Sequence, residues 1–154
     1  MNENQGVCVW GVPLDHEGEP PVIVWGDLES AEPSETFSAT VAEFVYGFAW
    51  DRKALEGAAG CVQAQAAPVD DAALAFLRSA LHETIPTFGW PCRQTFRFEG
   101  DGDLAVLLWS GHDQCDWFIS ATQPDEVRRL LRGLMDHSNL RSTLWSADPT
   151  WEAV

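Results

Sequence analysis

The segment from Thr95 to Thr122 constrains the fold more than any other part of the chain. It holds three strand-like runs, Thr95–Phe98, Leu104–Trp109 and Cys115–Thr122, separated by Gly100-Asp101-Gly102 and Gly111-His112-Asp113. Glycine beside aspartate is turn chemistry: glycine takes positive φ at little steric cost, and aspartate bonds to its own backbone. Short turns between successive runs dictate two consecutive antiparallel hairpins. The middle run, Leu104-Ala105-Val106-Leu107-Leu108-Trp109, is apolar on both faces of a pleated strand. It is expected to be a central strand, covered on each side.

The elements around it follow from the same patterns. Thr122-Gln123-Pro124-Asp125-Glu126 starts a helix, with proline in the first turn and acids beside it. Val127, Leu130, Leu131, Leu134 and Met135 form its buried stripe, and Arg128, Arg129 and Arg132 face out. Asp70 and Asp71 open an earlier helix that places Leu74, Leu77 and Leu81 on one face. Phe37, Val41, Phe44, Val45 and Phe48 predict another apolar helical stripe, with Ser38 or Thr40 as cap and Glu43 completing a capping box on Thr40. Residues 56–68 are rich in Gly and Ala and read as a mobile connection. Near the start, Gly6–Val12 and Val22–Trp25 read as strands joined by the turn Leu14–Glu19. The expected class is therefore α+β: a mainly antiparallel sheet of about five strands with two to three packed helices. At 154 residues the chain is expected to be a single domain, with 138–154 a C-terminal extension.

Charge narrows the partners. The net charge is -15, and all ten charged side chains in residues 1–51 are acidic. Nucleic acid and anionic membrane both demand clustered Lys or Arg, so neither is expected as a partner. The acids Asp15, Glu17, Glu19, Asp27, Glu29 and Glu32 are candidates for contacting a basic protein, with Trp50 and Trp90 as aromatic anchors near element ends. Trp10, Trp25, Trp109 and Trp117 lie in strand-like runs and read as core. The four cysteines show no C-x-x-C spacing, and each reads as a small buried hydrophobe. No leader or membrane-length apolar run is present, which sets a cytoplasmic, reduced location as the expectation. One Lys against eight Arg, with many Ala, suggests a GC-rich bacterial genome.

Several landmarks resemble the SUKH superfamily, which takes in bacterial toxin-immunity proteins and yeast cell-wall-synthesis regulators. They are Glu3-Asn4-Gln5 leading to Trp10-Gly11-Val12, Pro20-Pro21-Val22, Ser38 with Phe44-Val45, Phe96 and Phe98, and Ser120–Leu134. The resemblance implies a SUKH-like fold and a non-enzymatic, protein-binding role. Within that role it implies an immunity protein that occludes a basic, nuclease-type toxin by direct contact. A housekeeping scaffold or regulatory binder is the first alternative and a hydrolase the second. Superfamily members open with helices carrying L-P-x-x-(Y/F)-x-x-(F/L), which this chain lacks. Either the true start lies upstream, or the sheet face is covered by the segment Leu140–Trp151 or by a second subunit, giving a monomer or a homodimer.

No chemistry-bearing motif stands out. His112-Asp113-Gln114-Cys115-Asp116 lacks the second ligand pair of a zinc site, and Glu99-Gly100-Asp101-Gly102-Asp103 lacks the closing residues of a calcium loop. Glycine-rich phosphate loops are missing, and no local signature singles out a Cys–His pair. No catalytic residue, metal or cofactor is expected.

Overall fold

A computed structural model describes residues 8–25, 35–56, 60–66, 69–89, 91–111, 114–138, 140 and 144–145. The strands are β1 (Val9–Gly11), β2 (Val22–Trp25), β3 (Glu35–Ser38), β4 (Gly60–Ala66), β5 (His82–Glu83), β6 (Thr87–Phe88), β7 (Gln94–Glu99), β8 (Ala105–Ser110), β9 (Cys115–Ala121) and β10 (Leu144–Trp145). The helices are α1 (Val41–Glu56), α2 (Asp71–Ala80) and α3 (Pro124–Leu134). Strands β1-β2-β3 form a small sheet, and β10-β4-β9-β8-β7-β5 form a large one in which β6 also pairs with β7. Every pairing is antiparallel. The architecture is α+β, as the sequence pattern predicts, with more strands than the five expected.

The β7–β8–β9 meander is the frame. Its register puts Phe98, Val106, Ile119 and Val62 in one cross-strand row and Phe96, Leu108, Trp117 and Ala64 in the next. Both rows are buried in the main core, with Ala73, Leu74 and Leu77 of α2 and Val127, Leu130, Leu131 and Leu134 of α3. Fully burying a Leu, Val or Phe removes it from water for about 1.5–3 kcal/mol each, so this face supplies much of the stability. Asp70 caps α2 by accepting from the Ala73 N–H at 2.7 Å. Leu140 is buried in the same core, and β10 pairs with β4, so these described residues after α3 join the domain.

Three expectations are corrected. Residues 60–66, read as mobile, form β4, paired along its whole length with β9. Val62 and Ala64 point into the core while Gln63 is half-buried on the other face, a weak alternation of small residues. Phe37 lies in β3 rather than in the helix, because the capping residue is Thr40: its Oγ1 accepts from the Glu43 N–H at 3.1 Å. Glu43 reciprocates on the Ala39 N–H at 2.9 Å, one residue earlier than the expected box. Finally, α1 buries Gly47, Trp50 and Ala54, and leaves Val45 and Phe48 of the expected stripe exposed.

Candidate functional site

The second face of the large sheet is built differently. Here β7 presents Thr95, Arg97 and Glu99 toward α1, opposite Trp109, Leu107 and Ala105 of β8. Arg97 is 1% exposed, in the middle of an otherwise apolar Phe96-Arg97-Phe98 run. A guanidinium taken out of water is tolerated only when its donors are met. Its Nε donates to Asp51 Oδ1 and its Nη2 to Asp51 Oδ2, both at 2.7 Å. Its Nη1 donates to the Ile85 carbonyl and to Thr87 Oγ1, both at 3.1 Å. The fork therefore ties α1 to β7 and to the connection between β5 and β6. Burial pushes the Asp51 carboxyl above its ordinary range, against the pull of Arg97.

Helix α1 accommodates the guanidinium by being small where it passes over it. A Cβ on Gly47 would lie 3.5 Å from Arg97 Cζ and Nη2, an ordinary contact, so glycine leaves that space open without being forced there. Trp50 and Ala54 pack on Leu107, and Ser120 Oγ donates to the Ala54 carbonyl at 2.9 Å.

Beside this ion pair lies a cleft of about 590 Å³. Its walls come from β1 and β3 (Trp10, Phe37), α1 (Phe48, Asp51, Arg52, Leu55), the segment before β7 (Pro91) and the large sheet (Thr95, Arg97, Trp109). That volume falls in the range of small-molecule sites, roughly 300–1,000 Å³. Trp109 is braced by Phe118 in an edge-on contact at 4.7 Å, and its buried indole N–H meets no acceptor among the described residues.

A smaller pocket of about 130 Å³ lies against another side of the same stretch of α1, lined in part by Trp50, Lys53, Glu99, Asp103 and Ser120. Glu99 Oε1 accepts from both the Tyr46 hydroxyl and the Trp50 indole N–H. Burial, then the charge of Glu99, raises the Tyr46 phenol. Asp103 accepts from the Thr122 hydroxyl and backbone N–H, which lowers its carboxyl and holds the β7–β8 turn to the start of α3.

The expected contact residues are distributed unevenly. Asp15, Glu17 and Glu19 are exposed on the β1–β2 connection, and Glu19 reaches back to the α1 Ala42 N–H at 3.3 Å. Trp50 is corrected: it is buried, with its indole committed to Glu99, and is no exposed anchor. Asp27, Glu29, Glu32 and Trp90 lie outside the described residues, as do His112 and Asp113. The residues that the sequence reading missed are Arg97, Asp51, Phe48 and Leu55. An arginine between two phenylalanines in a strand was the available signal.

Reactive groups are muted. Cys115 is buried and its thiol is pushed up to about 12, so it is held protonated at neutral pH. Burial also raises Cys92, whose sulfur lies within 3.5 Å of Thr95 Oγ1. Among the described residues no three His, Cys, Asp or Glu side chains gather as a metal set, and no helix is long and apolar enough to cross a membrane. Comparison with family profiles, curated proteins and solved structures returns no match.

Proposed function

We propose that this protein is a non-enzymatic binding module that presents the outer side of α1 and the β1–β2 connection to a cationic protein partner. One observation carries the reading. Val45, Phe48 and Leu55 of α1 are 58%, 49% and 38% exposed, and Leu14 on the β1–β2 connection is 96% exposed. Spacings of three and seven set the three helical residues along one side of α1. Large apolar side chains aligned on a surface are what a partner covers.

The charge supports the choice of partner. Asp15, Glu17 and Glu19 adjoin Leu14 on a chain of net charge -15, and such a field speeds encounter with a basic protein by ~10–10³-fold at low salt. The resemblance to SUKH domains adds the finer reading, an immunity protein whose partner is a basic, nuclease-type toxin. Co-purification from the native host identifies the partner. Val45→Glu with Phe48→Glu should then abolish the complex while leaving the melting temperature unchanged. Reversing Asp15, Glu17 and Glu19 to Lys should chiefly slow association and flatten its salt dependence. A complex that survives both sets at full affinity rules this surface out.

A further inference from the structure

The cleft beside the ion pair has aromatic walls that are braced before anything enters it. One wall runs from the small sheet to α1. Trp10 meets Phe37 edge-on at 5.8 Å, Phe37 meets Phe44 at 5.7 Å, and Phe44 stacks on Phe48 at 6.1 Å. The other is the partly exposed Trp109 ring, held by Phe118 at 4.7 Å. Rings fixed in this way on separate elements do not swing in to fill the space themselves. Phe48 and Leu55 are exposed at its edge, so apolar surface of the cleft stands in water, and covering it is favourable. The polar lining is committed to the protein. Each nitrogen of Arg97 donates to Asp51, Ile85 or Thr87, and both Asp51 oxygens accept from Arg97. Arg52 has an interaction of its own, and Thr95 Oγ1 lies 3.5 Å from Cys92 Sγ. A charged ligand would lose its hydration here and gain no counter-charge.

From this we infer that the cleft binds a small neutral apolar molecule, roughly two or three rings in size, recognised by contact with the aromatic walls. Its volume of about 590 Å³ suits that class of ligand. Anions and cations of the same shape are both disfavoured, because the charges that line the cleft are already engaged. The inference does not rest on the protein-binding reading. Phe48 and Leu55 are common to the cleft and the outer side of α1, but Val45 and Leu14 do not line the cleft.

The test titrates the full chain with two probes of one skeleton, neutral N-phenyl-1-naphthylamine and anionic 8-anilino-1-naphthalenesulfonate, whose fluorescence rises in apolar surroundings. The neutral probe should saturate a single site and bind at least about tenfold tighter than the sulfonate. Phe48→Ala removes a half-exposed wall ring and should weaken the neutral probe by about fivefold to tenfold. Val45→Glu, outside the cleft, should not weaken it, although the protein-binding reading requires Val45. The two readings therefore fail separately. Arg97→Met with Asp51→Leu should bind the neutral probe at least as tightly, since no charge takes part, with thermal melts verifying the fold. If that variant does not fold, Phe48→Ala and Val45→Glu decide. No saturable binding of the neutral probe, or a sulfonate that binds as well, would overturn the inference. So would an affinity indifferent to Phe48→Ala, an equal loss in Val45→Glu, or a loss in the folded double variant.

Discussion

The two faces of the large sheet are made from the same four strands and do different work. Toward α2 and α3, the rows Phe98-Val106-Ile119-Val62 and Phe96-Leu108-Trp117-Ala64 are apolar and closed. Toward α1, the row Arg97-Leu107-Phe118-Gln63 begins with a buried cation and ends in an amide. One face is a buried apolar core; the other is held by an ion pair beside a cleft of about 590 Å³. Period-two alternation lets a single strand serve both. Phe96 and Phe98 belong to the core, and Arg97 between them belongs to the site. A closed core specifies the fold, and the polar face can diverge from it without disturbing the frame.

The sharpest way to break this contrast is at Arg97. Arg97→Ala should destabilise by about 3–5 kcal/mol, because it leaves the Asp51 carboxylate partly buried without its partner. Arg97→Met combined with Asp51→Leu should recover most of that loss, since an apolar pair of similar volume replaces a buried ion pair at little net cost. Urea denaturation measures both. If the double variant is as unstable as the single one, the ion pair is doing more than filling its own site.

The closed face gives the next effect. Leu131→Ala, in the middle of the buried side of α3, should cost about 2–5 kcal/mol, and Arg129→Ala on the exposed side under about 0.5 kcal/mol. Equal melting shifts for the two would show the helix face to be wrongly assigned.

The smallest effect is one of pH. Hydrogen bonds from Thr122 lower the Asp103 carboxyl below its ordinary 3.8, so the folded chain holds this proton less tightly than the unfolded chain. The stability it contributes is full above that ordinary value and is lost as pH falls through the lowered one. Asp103 lies at the surface and is only partly covered, so the contribution is small. Asp103→Asn should lower the melting temperature slightly at neutral pH and flatten the acid limb, so that variant and parent converge in acid. A variant whose loss persists equally at pH 7 and pH 3 would point to the geometry of the turn instead.

The closed face was the legible one. Strand-forming apolar runs between Gly-Asp turns mark β7 to β9, and a 3.6-residue period marks α3, because burial against a continuous core favours both patterns. The open face was hidden by the same logic. Helix α1 turns Gly47, Trp50 and Ala54 inward and leaves Val45 and Phe48 outside, so a rule that places apolar residues inward gives the wrong helix phase. Strand β4 escaped notice because Gly, Ala and Gln are poor strand formers, and only its seven-residue pairing with β9 holds it extended. Arg97 carries no local motif. Its partners Asp51, Ile85 and Thr87 lie 10 to 46 residues away and meet only in the folded chain. Trp50 shows the converse: a tryptophan near a helix end looked like an anchor, and its indole is spent on Glu99.

Two indoles supply the most direct test of the division between the faces. Trp109 on the open face and Trp117 on the closed face each bury an indole N–H that meets no acceptor among the described residues. They sit on adjacent strands, one register position apart, on opposite sides of the sheet. Indole N–H resonances of ¹⁵N-labelled protein, compared between the parent chain and the double variant Arg97→Met with Asp51→Leu, separate them. The Trp109 signal should shift, because its strand packs beside the replaced ion pair, while that of Trp117 stays in place. Equal movement of both signals, or movement of Trp117 alone, would contradict the division of the sheet into an ion-paired face and an apolar core.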